Sequence, residues 1–508
     1  MNVQKNENNV YQKIIASLKK RSKGATIADI SAATALPLST VREMLPKAAD
    51  EFKGRLEVTE SGEILYSFPN GFTSRYRGFG ATAKRFFRKF AGYAGIAAVF
   101  LFKAWIMVML VGYFVLFIAI ALAAVLLFMA AQARGGGRGG YSYGGGNRGY
   151  SYGGGNRGGS AHAGVNPFGM IWRIWFFSEL TRPRRSFGGG QFNPAPAKEK
   201  RPMHKAVFSF VFGDGDPNKD WQDRENKAVI TYIQANNGVI SLPEYMAFCG
   251  KNNIQAEESL LAFCAHFGGS PEATGEGTIV YRFDELLLRA DKKNFAELSV
   301  PVQQLKQFSA NEKKLNTWFI VINAVNLIFG SYFLYHSFNT GLLLSEEHFQ
   351  AAPYLYAFTQ FLILHITQNP MPVLMIGLGL IPFAFSVLFW VIPALRRYFE
   401  TLENEKLKLA NFKRLGFNRI WSRPFNVKPG DIKTDSAECR PRNASAAWDS
   451  VIKEMGAISS PDVEINPNGE TLYSFSGLDY EKKALEKYRA GIDMSRSKLG
   501  NTVFDSGA

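Results

Sequence analysis

Residues 94–133 form an unbroken apolar run in which Lys103 is the only formal charge. About 20 such residues in a helix span the hydrocarbon core of a bilayer, so a chain carrying this run is expected to enter a membrane. The stretch is long enough for two spans. A helical hairpin bending at Gly112 would place both basic flanks on one side, Lys84, Arg85, Arg88 and Lys89 before it and Arg134 and Arg138 after it. The alternative is one tilted span with a helical extension.

Two more runs, 318–335 and 373–395, read as transmembrane helices. Lys313 and Lys314 precede the first, and Arg396 and Arg397 follow the second. Between them, 336–372 holds no Lys or Arg but does hold Glu346 and Glu347, the pattern of a translocated loop. The fold class expected is therefore an α-helical multi-pass membrane protein with α+β winged-helix-like soluble modules. The bilayer expected is a bacterial inner membrane, with both termini cytoplasmic. No Asp, Glu, Lys or Arg lies inside the two later runs, which speaks against an ion route, although Lys103, Asn323 and Asn326 are polar groups at membrane depth.

The soluble segments share an ending. A turn precedes Leu65-Tyr66-Ser67-Phe68, Val280-Tyr281-Arg282-Phe283 and Leu472-Tyr473-Ser474-Phe475. Tyr and Phe two positions apart face one side of a strand, and helical periodicity precedes each copy. This predicts winged-helix-like modules at 1–72, 203–293 and 398–493. In the first, Thr26 starts the second helix and Ser39 caps the third.

A DNA-reading helix presents cations to phosphates. The first module offers Arg42 and Lys47. The second offers Glu257 and Glu258 followed by Leu260 and Leu261, which suits a protein partner better than a phosphate backbone.

The run 206–218, Ala-Val-Phe-Ser-Phe-Val-Phe-Gly-Asp-Gly-Asp-Pro-Asn, followed by a helix, Asn237-Gly238 and the strand at 280–283, resembles a family of membrane proteins of cyanobacteria and the plastid envelope. Some members carry the label "iron–sulfur cluster biosynthesis". The resemblance is most specific over 203–288 and implies a membrane location without implying a reaction or site residues. An iron–sulfur scaffold needs several convergent thiolates. Only Cys249, Cys264 and Cys439 are present, with no Cys-x-x-Cys pair, and Cys249 and Cys264 sit where apolar helix faces serve equally well.

Asp214, Asp216, Asn218, Asp220 and Glu225 match positions one, three, five, seven and twelve of a calcium loop, yet Lys219 occupies the position that requires glycine. The expectation is a capped turn, with no metal and no cofactor. The Gly/Arg/Tyr-rich stretch 134–201 reads as a tether. Within it, Trp172 and Trp175 are expected at the headgroup level, and Arg182, Arg184 and Arg185 against anionic lipid.

No Ser/His/Asp set or phosphate-binding glycine loop occurs, so no enzymatic activity is expected. A net charge of +16 suits anionic headgroups as well as nucleic acid. The leading expectation is a membrane scaffold whose modules bind one another or partner proteins. The alternatives are a tethered nucleic-acid binder and a transporter-associated subunit.

Overall fold

A computed structural model describes residues 2–21, 24–69, 71–75, 95, 97–135, 201–290, 300–338, 352–432, 436–493 and 498–506. The chain is mostly helical, with small sheets, and forms two compact units. One comprises Met1–Lys89, Asp216–Lys306 and Glu400–Ala508; the other comprises Phe90–Gly215 and Gln307–Phe399.

The first unit begins with helices α1 (Asn2–Leu18), α2 (Ile27–Thr34) and α3 (Leu38–Phe52) and the hairpin β1 (Arg55–Thr59) and β2 (Ile64–Ser67). Thr26 caps α2 in a reciprocal box with Asp29, as its sequence predicts. Helix α3 starts at Leu38 after Pro37, so Ser39 lies inside its first turn and is not the cap. Ile14, Ile30, Val41, Leu45 and Tyr66 bury together from all these elements.

Next come α6 (Trp221–Ala235), β3 (Val239–Ser241), α7 (Leu242–Cys249), α8 (Asn253–Phe267), β4 (Ser270–Ala273) and β5 (Ile279–Arg282), preceded in the chain by α4 and α5 of the other unit. The three strands are antiparallel in the order β3-β5-β4. The last part holds α12 (Ala444–Gly456), β6 (Asp462–Ile465), β7 (Thr471–Ser474), α13 (Ser476–Ala490) and β8 (Thr502–Asp505). It follows the long helix α11 (Pro372–Ser422), of which Glu400–Ser422 belongs to this unit.

One register detail recurs. Ala25 bridges Tyr66, Ile240 pairs with Tyr281, and Val427 bridges Tyr473. Each of the three Tyr-x-Phe strands thus receives, at its tyrosine, a segment lying between the helices before it.

Among the described residues three helices are long and apolar enough to cross a bilayer, and they lie in the second unit: α4 (97–135), α9 (Lys313–Phe338) and the part of α11 before Glu400. Shorter apolar helices α5 (Met203–Phe212) and α10 (Pro353–His365) accompany them. The expected hairpin at Gly112 is not formed. Val108–Gly112 is a π-helical segment, Tyr113 follows at φ −64° and ψ −41°, and the helix runs on to Gly135. The chain passes Gly112 without a turn, and the π segment takes up one residue within a continuous helix.

Nor does the last span end at 395, since α11 continues through Arg396 and Arg397 to Ser422. The sequence places 203–293 in one module, but the unit boundary falls between Gly215 and Asp216, inside the Gly-Asp-Gly-Asp motif. Helix α5 buries Ala206, Val207, Phe210 and Val211 against Ile106, Leu110, Phe319 and Phe389 of the long helices.

Backbones approach closely within this unit. A Cβ at Gly330 would lie 3.0 Å from Phe383 N, and one at Gly379 would lie 3.1 Å from Leu334 Cα. Small residues at helix crossings are the usual route to tight association in lipid. The stretches 134–201 and 336–372 are described only in part. The residues expected at the membrane interface, Trp172, Trp175, Arg182, Arg184 and Arg185, lie outside the described residues.

Candidate functional site

The first unit buries charge within its apolar core. Arg414, on the Glu400–Ser422 part of α11, is 3% exposed and spends its donors on several elements at once. Nε donates to Phe248 O at 2.9 Å, Nη2 to Cys249 O at 3.1 Å and to Glu225 Oε1 at 3.3 Å. Nη1 reaches Gln303 Oε1 and Asn411 Oδ1, each at 3.2 Å, and the guanidinium lies 4.7 Å from the Trp221 ring centre. Burial pushes the Glu225 carboxyl up, and Arg414 pulls it back down.

Gly250, the left-handed cap of α7 at φ +65°, completes the fit, because a Cβ there would sit 2.8 Å from Arg414 Cγ. The conformation and the close approach each call for glycine.

A second node joins α13 to the middle of the unit. Arg489 binds both oxygens of Glu244, Nη2 to Oε2 at 2.7 Å and Nη1 to Oε1 at 3.0 Å, and donates to Val239 O at 2.8 Å. Tyr232 donates to Glu244 Oε1 at 2.6 Å, and burial followed by the Glu244 charge raises its phenol well above the usual value. Around these nodes one apolar core runs from Ile230, Met246 and Phe267 to Phe417, Trp448 and Phe475.

The N-terminal elements dock onto the middle ones through Thr26 Oγ1 to Leu288 O at 2.8 Å and Ala290 N to Asp29 Oδ2 at 3.0 Å. Arg42 Nη2 pairs with Glu285 at 2.9 Å and Lys13 with Asp223 at 2.5 Å. Strand β8 adds itself to β1, and Arg55 pairs with Asp505.

The residues singled out from sequence fall in different places. Leu260 is fully buried in its own core, which removes it as a contact for a partner, because its helix turns this face to β5 and α7. Leu261 is 49% exposed and shares the outer face of α8 with Ile254. Arg42 and Lys47 are paired with Glu285 and Glu43, so both charges are already met within the chain.

The calcium-type carboxylates do not converge. Asp214 accepts from Arg201, Ser209 and Ala310 N, while Asp216 accepts from Asn218 N; Glu225 belongs to Arg414. Among the described residues no group of three metal-binding side chains occurs. All three thiols are free and buried, and burial pushes Cys249 and Cys264 up to about 11.

The amides of the long apolar helix α9 serve backbone carbonyls of its neighbours. Asn326 donates to Leu110 O at 2.7 Å, in the π segment of α4, and Asn323 donates to Ser386 O at 2.9 Å. Tyr113 donates to Gly377 O, in the second π segment, at 2.9 Å. Such donors add a side-chain tie between neighbouring helices.

Sequence reasoning passed over Arg414 and Arg489, which look like ordinary surface cations of charged helices. The only local hint is that Asn411 and Arg414 stand three apart among Phe412, Phe417 and Ile420, in positions an amphipathic helix would bury.

This chain is similar to an uncharacterised chloroplastic protein of Arabidopsis thaliana, 24% identical over 436 residues that span 82% of this chain and 73% of the relative. No family model matches, and no solved structure matches. The match agrees with the plastid side of the resemblance in the sequence and carries no iron–sulfur label. It also corrects the expected location: the relative is chloroplastic, so the bacterial inner membrane with cytoplasmic termini does not stand. Among the described residues three helices are long and apolar enough to cross a membrane.

Proposed function

We propose that this protein is a multi-pass membrane scaffold in which three winged-helix-type modules, one from each soluble stretch, bind one another to build a platform beside the bilayer. The observation that carries the reading is the pair of buried arginines, Arg414 and Arg489, each joining the last soluble stretch to the middle one, while Thr26 and Asp29 join the first stretch to the middle one through Leu288 and Ala290. Buried pairs of this kind are better at fixing a unique arrangement than at adding stability. The repeated pairing at Tyr66, Tyr281 and Tyr473 supports a common module, because each copy places its bridging segment at the same register position.

Contact with protein is favoured over contact with duplex DNA. The cations of α3 are met by Glu43 and Glu285, and the outer face of α8 offers Ile254 and Leu261 beside Glu257 and Glu258. A phosphate backbone is repelled by such a face. The relative's chloroplastic label extends to this chain as the proposal that its membrane is of plastid type.

The test uses the full chain. Integral insertion predicts that the protein stays in the membrane pellet at alkaline pH and high salt, and release into the supernatant overturns the scaffold reading. Detergent-solubilised protein is expected to show no steep salt dependence of binding to a 30-base-pair duplex, at about 50–200 mM salt. A steep dependence would favour nucleic-acid binding instead.

A further inference from the structure

Lys103 is the charge that the apolar run of α4 has least reason to carry. Its neighbours assemble around it. A cleft of about 840 Å³ opens between α4 and α5, walled by Lys103, Arg201, Lys205, Phe208, Phe212 and Asp214. Lys103 Nζ lies 4.3 Å from the centre of the Phe208 ring. Among the described residues no carboxylate pairs with Lys103 or Lys205.

The one acid in the wall is already committed. Asp214 takes Arg201 Nη1 at 2.6 Å, Ser209 Oγ at 2.7 Å and Ala310 N at 2.8 Å; burial opposes its ionisation, and these donors prevail and hold it below the usual carboxylate range. Arg201 and Asp214 therefore cancel, and two positive charges remain. The imidazole of His204, beside the cleft, responds to that field: burial, then Lys205 and Lys103, hold it below its ordinary value.

The other half of the cleft is apolar. Phe212 lies 6.0 Å from Phe102, which with Trp105 belongs to the exposed apolar surface of α4. A ligand that satisfies both halves is an anion with hydrocarbon attached, presented at the depth where a lysine stem can follow apolar surface and raise its ammonium to the headgroups.

We propose that this cleft is a binding site for the phosphate headgroup of an anionic phospholipid, with Lys103 and Lys205 as its cations and Phe208 and Phe212 against the glycerol and upper acyl chain. The phosphate chemistry is shared with free inorganic phosphate; the aromatic half is what assigns the lipid. The assignment rests on membrane insertion, which alkaline extraction tests separately, so the two can fail independently.

The experiment is a titration of delipidated full-length protein in non-ionic detergent, read by native mass spectrometry. The probes are phosphatidylglycerol, phosphatidylcholine and inorganic phosphate. Wild type is expected to retain phosphatidylglycerol at least about tenfold more tightly than phosphatidylcholine. Lys103→Gln with Lys205→Gln abolishes that preference, whereas Lys313→Gln with Lys314→Gln, exposed cations outside the cleft, leaves it within about twofold.

Equal affinity for the two lipids, or an unchanged preference in the Lys103/Lys205 variant, overturns the site. Inorganic phosphate competing as well as the lipid at equal concentration shows a free-anion site and overturns the lipid assignment. Should the double variant misfold, Lys205→Gln alone decides the matter, since an exposed lysine without a protein partner has no structural duty to lose.

Discussion

Replacing Arg414 with methionine tests whether buried charge organises the first unit. Methionine preserves much of the stem, so the change removes five donor contacts with little loss of volume: those to Phe248 O, Cys249 O, Glu225, Gln303 and Asn411. Glu225, itself 6% exposed, is left without its counter-charge. Breaking a buried pair on one side costs about 3–5 kcal/mol, and the orphaned carbonyls of α7 fall within that figure because such terms do not add.

The readout is native-state hydrogen exchange of the full chain, which resolves segments where a single unfolding midpoint would mix two units. Amides of α6 and α7 are expected to exchange roughly 10²- to 10³-fold faster than in wild type at the same pH, about tenfold for each 1.4 kcal/mol. Exchange in α4 and α9 should not change.

The sign with pH follows from Glu225. Burial raises its folded pKa, and removing Arg414 raises it further, so the folded state keeps its proton more readily than the unfolded chain does. That preference is fully present at low pH and is lost as pH rises through the folded pKa, so the deficit deepens as pH rises above the usual carboxylate range. Adding Glu225→Gln should restore most of the protection at pH 8. Exchange in α7 within about threefold of wild type, or a double variant as labile at pH 8 as Arg414→Met alone, would refute the reasoning.

Three further outcomes are expected. Gly330→Leu must push α9 away from Phe383, so the detergent-solubilised protein should lose its cooperative thermal transition or drop by about 1–3 kcal/mol; an unchanged midpoint would show that the two helices do not meet there. With Cys249 and Cys264 buried and pushed up to about 11, maleimide at pH 7.5 should leave both unlabelled until denaturant is added, detected by peptide mass; prompt native labelling of either contradicts their placement. Truncation after Leu499 deletes β8 and turns β1 from a central strand into an edge, so amide protection at Leu56 and Glu60, which donate to Ser506 Oγ and Asn501 O, should fall by about 1–2 kcal/mol, and unchanged protection would exclude the β1–β8 pairing.

Local rules in the sequence determined much of this protein. Apolar runs long enough to span a bilayer specify α4, α9 and the first half of α11, because a long unbroken apolar stretch can satisfy its backbone within a helix. The Thr26–Asp29 box starts α2, and the turns before Tyr66, Tyr281 and Tyr473 place the hairpin strands, because capping and alternation act over a few residues.

What the sequence left open is whatever depends on distant partners. Gly112 reads equally well as a bend or as a helical residue until Asn326 is found supplying a donor to Leu110 O. Leu260 and Leu261 are indistinguishable by composition, and only the packing of α8 sends one into the core and the other outward. The Gly-Asp-Gly-Asp run looks like one loop, yet its aspartates divide between two units because Asp214 answers to Arg201 and Ala310 N while Asp216 answers to its own turn. Beyond its place among Phe412, Phe417 and Ile420 on its helix, Arg414 carries no local mark of its burial. Its desolvation is offset by carbonyls and a carboxylate 165 to 189 positions away, a match that exists only once the chain has brought them together.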